Sequence, residues 1–296
     1  MLDFIYYPVS AILWVWHTAF GAVLGPASGL AWMLAVIFLV VTLRAALFLP
    51  FLKQARTQAA MQRLRPRVEE IQRKYKDDPQ RKNTEIQRLF KDNGVHPFAS
   101  LVPLIAQIFV FVGLFHVLRS FDRTGTFDYL PIGRTASMTA EQNAATANYL
   151  FGPGDVQSFL HAELFGAPLS ATVAGAGELL STVAIVALPI MVIAAVATHF
   201  TARAAVDRQT GAGTTQLPFM RHLTLWAFPA AAIAGGALLP VAILLYFVTN
   251  NAWTLAQQHF VYRRLDAETA AEATRVAAAR VAAAPKPGAK PKRQRR

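Results

Sequence analysis

The sequence predicts an all-α, polytopic membrane protein: five transmembrane helices, a cytoplasmic antiparallel helical hairpin and an N-terminal interfacial helix. Three observations predict it. Of 296 residues, 54% are hydrophobic and only 16% are charged, where soluble domains average about 25% charged residues. The charges cluster, leaving uncharged apolar runs long enough to cross about 30 Å of hydrocarbon, which takes roughly 20 helical residues. The cationic clusters also alternate along the chain as an inserted protein requires.

Residues 1–29 open with an apolar, aromatic stretch containing Trp14, Trp16 and Phe20, interrupted by Pro8 and His17. Tryptophans of this kind hold a helix at a membrane interface, a reading that the parity of the topology favours over a sixth span or an uncleaved signal segment. The first span covers 30–52 and carries one charge, Arg44. Residues 53–97 form the hairpin. Met61, Leu64, Val68, Ile71 and Tyr75 recur at three- and four-residue spacings, the stripe of one helix face. Asp77-Asp78-Pro79 ends that helix and starts a second, with Ile86, Leu89 and Phe90 as its apolar face and Gly94 as its cap. Pro66 is expected to kink the first arm.

The second span occupies 98–119 and 120–177 form an extracytoplasmic loop. The third span, 178–203, contains Pro189, and a short cytoplasmic loop follows at 204–221. The stretch 222–262 is too long for one crossing; Gly235, Gly236 and Pro240 near its middle divide it into the fourth and fifth spans. The tail, 263–296, continues helical to about Ala284 and ends in PKPGAKPKRQRR, which cannot bury a core.

Charge sets the orientation. Residues 53–97 hold twelve Lys/Arg against six acids, and 263–296 hold ten against three. Between 199 and 222 stand Arg203, Arg208 and Arg221 against Asp207, whereas 120–177 carry two Arg and five acids. Cationic loops stay in the cytoplasm. The N-terminus is therefore expected outside and the tail inside.

Catalytic chemistry finds little to work with. The chain has no cysteine, so thiolate nucleophiles, disulfides and cysteine metal sites are excluded. Its seven histidines are scattered, and no phosphate-binding loop, G-x-S-x-G or H-E-x-x-H occurs. No enzymatic activity, cofactor or metal is expected.

Arg44 is the informative residue. On a span of 30–52 it lies about 13 Å from the cytoplasmic end. An arginine at mid-bilayer costs about 2.5–3.5 kcal/mol on insertion scales. The other four spans offer no Asp or Glu to pair with it, since Glu178, at the start of the third, lies at the opposite face. Snorkelling to inner-leaflet headgroups is one answer; the functional one is a water-accessible groove, open to the cytoplasm and closed toward the outside, that solvates the guanidinium. Thr42, Gln107, Thr198, Asn250, Asn251 and Gln257 are its candidate lining, and Tyr246 is either part of it or packing. Taken singly, these residues serve as readily as helix-to-helix hydrogen bonds.

Four stretches carry a resemblance. FLVVTLRAALFLPFLKQ, the hairpin MQRLRPRVEEIQRKYKDDPQRKNTEIQRLFKDNGVHP, LVPLIAQIFVFVGLFHVLRS and ALLPVAILLYFVTNNAWTLAQQHFVYRRL resemble, in that order, the core spans and cytoplasmic hairpin of the YidC insertase family. The resemblance covers about half the chain. It implies insertion of nascent membrane proteins into the bacterial inner membrane, alone or beside the Sec translocon. It also implies ribosome binding through the basic hairpin and tail, the groove arginine at Arg44 and the groove tyrosine at Tyr246. Membrane lipids are the remaining partner. The competing class is a small secondary transporter or channel, which would need buried acids or inverted repeats.

Overall fold

The computed structural model describes residues 2–96, 102–124, 138–210 and 222–283. It divides into two units, Met1–Ala256 and Gln257–Arg296.

The first unit is built on helices. α1 runs Asp3–Leu24 and α2 Gly29–Ala46, joined by a turn in which Gly25 takes φ 91°. α3, Phe48–Lys74, follows after Leu47 alone. Pro50 explains the break. It has no N–H to give the Ala46 carbonyl, and its ring crowds that position. The expected first span is therefore two helices, and Arg44 stands in the last turn of α2. α3 itself continues unbroken past Pro66.

Tyr75–Asp78 separate α3 from α4, Pro79–Asp92. Asp78 Oδ1 accepts the Arg81 amide at 2.9 Å, and Pro79 fills the first helical position. At the far end Gly94 takes φ 65°, while the Val95 and Gly94 amides reach back to the Phe90 and Lys91 carbonyls at 2.9 and 3.0 Å. That is the Schellman closure a left-handed glycine permits. Lys74 and Arg81 each lie 5.4 Å from the centre of the Tyr75 ring, a cationic collar on the turn.

α5, Val102–Arg119, returns through the core; residues 98–101 of the expected second span lie outside the described residues. Beyond it, the described part of 120–177 is folded rather than an open loop. α6 (Ala140–Ala145), α7 (Pro153–Leu160) and a β1–β2 hairpin (Glu163–Leu164, Ala167–Pro168) close over the start of α2. Trp32, fully buried on α2, is ringed by Phe121, Phe151 and Phe159 at 5.1–5.5 Å between centroids. Trp32 Nε1 donates to Ser158 Oγ at 3.0 Å, and Ser158 Oγ donates to the Pro26 carbonyl at 2.6 Å. A carbonyl only accepts, so His17 Nε2, 2.9 Å from the same oxygen, carries the proton.

α8 spans Leu180–Thr210. A π-helical turn, Leu223–Ala227, leads into α9, Phe228–Gly236. After Ala237–Pro240, α10 runs Val241–Ala283. The division of 222–262 falls at the glycine pair and Pro240. At the junction a Cβ on Gly236 would come 3.0 Å from Met191 Cγ of α8. Residues 257–283 of α10 make up the described part of the second unit, an alanine-rich helix with an Arg264–Glu268 pair at 3.0 Å.

Five spans are the sequence expectation. By length and composition the described residues hold three helices able to cross a membrane, Asp3–Leu24, Gly29–Ala46 and Gly177–Ala204. Ile105–Arg119 and Leu223–Gly236 are shorter apolar helices. α10 is not among them, because Asn250, Asn251, Gln257 and Gln258 dilute its apolar half. α1, expected at the interface, is long and apolar enough to cross. Its contacts also run along the folded segment 138–179: Tyr7 meets Tyr149 edge-on at 5.3 Å, Ser10 Oγ accepts the Leu150 amide at 3.3 Å, and His17 stands 6.3 Å from Phe151.

Candidate functional site

Three helices bring polar side chains to one level of the first unit. Arg44 comes from the last turn of α2, Gln107 from the start of α5, and Tyr246, Asn250 and Thr254 from α10. The last three are four residues apart, so they share one helix face.

Arg44 donates from Nε to Asn250 Oδ1 at 2.9 Å and from Nη2 to the same oxygen at 2.5 Å. Nη2 also donates to Thr254 Oγ1 at 3.0 Å. A guanidinium has donors only, so it fixes which end of the Asn250 amide faces it. Gln107 Nε2 adds a third donor to Asn250 Oδ1 at 3.2 Å, and the Gln107 side chain also bonds to Tyr246. Thr254 passes its own proton to the Asn250 main-chain carbonyl at 2.8 Å, which leaves its lone pairs for Arg44. Arg44, Gln107, Asn250 and Thr254 are half-buried; Tyr246 is 2% exposed.

The acceptors that hold Arg44 are thus an amide oxygen and a hydroxyl, both uncharged. Its Nη1 group, with two further N–H donors, has no partner among the described residues. A cation in the last turn of a helix also faces the negative end of the helix dipole, worth about 0.3–1 kcal/mol. One turn along α5 from Gln107, Phe111 packs 6.0 Å from Tyr246 and 5.7 Å from Phe247, an aromatic cluster beside the polar one.

The remaining candidates lie elsewhere. Thr42 Oγ1 donates to the Phe38 carbonyl at 2.8 Å and accepts Trp16 Nε1 at 3.0 Å, which turns it toward α1 and away from Arg44. Asn251 donates to Thr198 Oγ1 at 3.3 Å, a tie between α10 and α8. Gln257 belongs to the second unit. Thr254 was not among the sequence candidates, although its place four residues after Asn250 is the signal that finds it. Among the described residues no three His, Asp or Glu side chains gather as a metal site would need.

The chain has relatives. The family model described as "60Kd inner membrane protein" matches residues 23–268. The chain is 46% identical over 302 aligned positions to the membrane protein insertase YidC of Mycolicibacterium paratuberculosis, covering 99% of this chain and 84% of that protein. It is 45% identical to the protein of the same name from Mycobacterium tuberculosis, over 99% and 81% of the two. A Streptomyces avermitilis protein, also named YidC, is 31% identical over 89% of this chain and 58% of its own length.

Proposed function

Because this chain belongs to the 60Kd inner membrane protein family, whose relatives include proteins named YidC insertase, we propose that it inserts nascent membrane proteins into the lipid bilayer. In this reading the client passes along a hydrophilic groove between α2, α5 and α10, past Arg44. The observation that carries it is the set of neutral acceptors around the guanidinium: Asn250 and Thr254 hold Arg44 in place without cancelling its charge.

The mechanism is thermodynamic. A client's polar or acidic tail is costly to move through hydrocarbon, and a charged residue at the bilayer centre alone costs about 2.5–3.5 kcal/mol. A wet groove reaching partway shortens the dry path. Arg44, with Nη1 free to donate, offsets part of the penalty of a client carboxylate. The client's apolar segment then leaves sideways into lipid, driven by about 0.8 kcal/mol per buried CH₂. The aromatic level of Phe111, Tyr246 and Phe247 keeps the groove from becoming a continuous pore.

The same proposal has the N-terminus and residues 120–177 outside, with the hairpin of α3 and α4 and the basic tail in the cytoplasm. Clustered Lys and Arg there would bind the phosphate backbone of a ribosome by releasing counterions. The translocon is a further partner. A transporter would need acidic groups in the membrane, and among the described residues no carboxylate joins the cluster.

Substituting Arg44→Ala tests the charge role. Insertion of single-span clients with acidic N-terminal tails into reconstituted vesicles should fall, and clients with neutral tails should be affected less. Unchanged insertion of the acidic clients would refute it.

A further inference from the structure

The β1–β2 hairpin ends in a two-residue turn, since Leu164 pairs with Ala167 across Phe165-Gly166. Both turn residues have positive φ, 51° and 81°. Turns of this geometry favour Asn-Gly or Gly-Gly, because only small residues adopt both conformations freely. Glycine suits the second position. A bulky side chain at the first is a genuine outlier. The fold gives the ring nothing in return, for Phe165 is 84% exposed, the highest value of any large apolar side chain among the described residues.

The position of the turn supplies the reason. Gly166 lies against the first turn of α8, where an added Cβ would sit 3.4 Å from Thr182 Cγ2. α8 belongs to a segment long and apolar enough to cross a membrane. Ile185, Leu188, Val192 and Val196 recur along it at helical spacing and are all exposed, as are Leu179 and Leu180 at its start. In a bilayer that stripe is covered by acyl chains. Phe165 stands beside its upper end, where the helix enters the membrane. We infer that the Phe165-Gly166 tip is a membrane anchor, its ring seated among lipid chains of the leaflet facing the folded segment 138–179.

The surrounding charges set its depth and its chemistry. Glu163 and Glu178, two residues before the tip and two before α8, are exposed and must stay in water, so the ring enters shallowly. Between residues 135 and 202 the chain has no Lys or Arg. The contact is therefore apolar rather than a recognition of anionic headgroups, and lipid charge should not alter it.

A single-cysteine label tests this cleanly, because the natural chain has none. Phe165→Cys, Leu180→Cys and, as a reference in water, Gln157→Cys would each carry an environment-sensitive fluorophore in the full-length protein, reconstituted into vesicles with spin-labelled lipids. The labels at 165 and 180 should be quenched most by spin labels about 5–10 Å below the headgroups. Both should resist aqueous iodide present on both sides, equally in zwitterionic and anionic vesicles. The label at 157 should be quenched by iodide. Iodide access at 165 matching that at 157 would overturn the inference. So would protection at 165 that arises only with a stalled client or at high protein density, since the occupant would then be a protein.

Discussion

Asn250 is where holding Arg44 and leaving it charged can be separated. Its Oδ1 receives two bonds from the guanidinium and a third from Gln107. Asn250→Ala removes all three. Hydrogen bonds to charged groups are worth about 1.5–3 kcal/mol in soluble proteins, but interhelical ones in membranes average about 0.6 and reach about 1.7 kcal/mol. The membrane scale governs here, so the alanine variant should lose about 1–2 kcal/mol of stability. Asn250→Asp keeps the acceptor and adds a charge. Two unit charges 4 Å apart attract by about 4 kcal/mol at an effective dielectric constant of about 20. The aspartate variant should therefore unfold no earlier than the natural protein in a detergent melt. A client carboxylate must then compete with a resident one. Even if desolvation consumes most of the attraction, a residual of about 1.4 kcal/mol lowers the client's occupancy about tenfold. In a proteoliposome assay with acidic-tailed clients, activity should fall from the natural protein to alanine to aspartate. Stability should put alanine last. If the aspartate variant inserts acidic-tailed clients as well as the natural protein, or if activity simply follows stability, the reasoning about charge is wrong.

Other parts of the molecule yield sharper tests of packing. Thr42→Val and Trp16→Phe should each destabilise modestly, with a double-mutant coupling of about 0.5–1.5 kcal/mol, and Thr42→Val should leave insertion intact; lost insertion at unchanged stability would return Thr42 to the client path. Gly29→Ala drives a Cβ into the Glu163 main-chain carbonyl, so its melting should reveal a loss of about 1–3 kcal/mol. The Tyr149 hydroxyl, 2.7 Å from His116 Nε2, is pushed up to about 12 by burial first and by Asp3 second. The unfolded chain then loses this proton near pH 10 while the folded one keeps it, so stability should decline as pH rises from about 10 to about 12. Tyr149→Phe should flatten that part of a pH-dependent melting series.

Much of the fold could be read from residue types. The turn at Tyr75–Asp78, the Gly94 cap and the division before Val241 follow from Pro and Gly placed where backbone geometry needs them. The folding of 138–179 could not be read. Phe121, Phe151 and Phe159 are spread over 39 residues, and only tertiary structure gathers them on Trp32. At the site, side-chain chemistry singled out Arg44, Gln107 and Asn250, and the family resemblance added Tyr246, but neither gave direction. Residues two apart on a helix point to nearly opposite sides, and residues four apart to the same side. Thr42 stands two before Arg44 and faces Trp16; Thr254 stands four after Asn250 and faces the guanidinium.

The end of α2 was the larger omission, and it changes the energetics of Arg44. Read as one span from 30 to 52, the chain leaves arginine in mid-helix with its full insertion cost. Pro50 instead ends α2 two residues beyond Arg44. The side chain gains the helix dipole, about 0.3–1 kcal/mol, and the two acceptors on α10, together comparable with the 2.5–3.5 kcal/mol that insertion costs. A single aspartate would have met that cost with fewer parts. What the dipole, the amide and the hydroxyl share, and a carboxylate lacks, is that none of them neutralises the formal charge. An arrangement selected only to stabilise a buried arginine would have no reason to avoid the carboxylate, whereas one that must attract an acidic client has to.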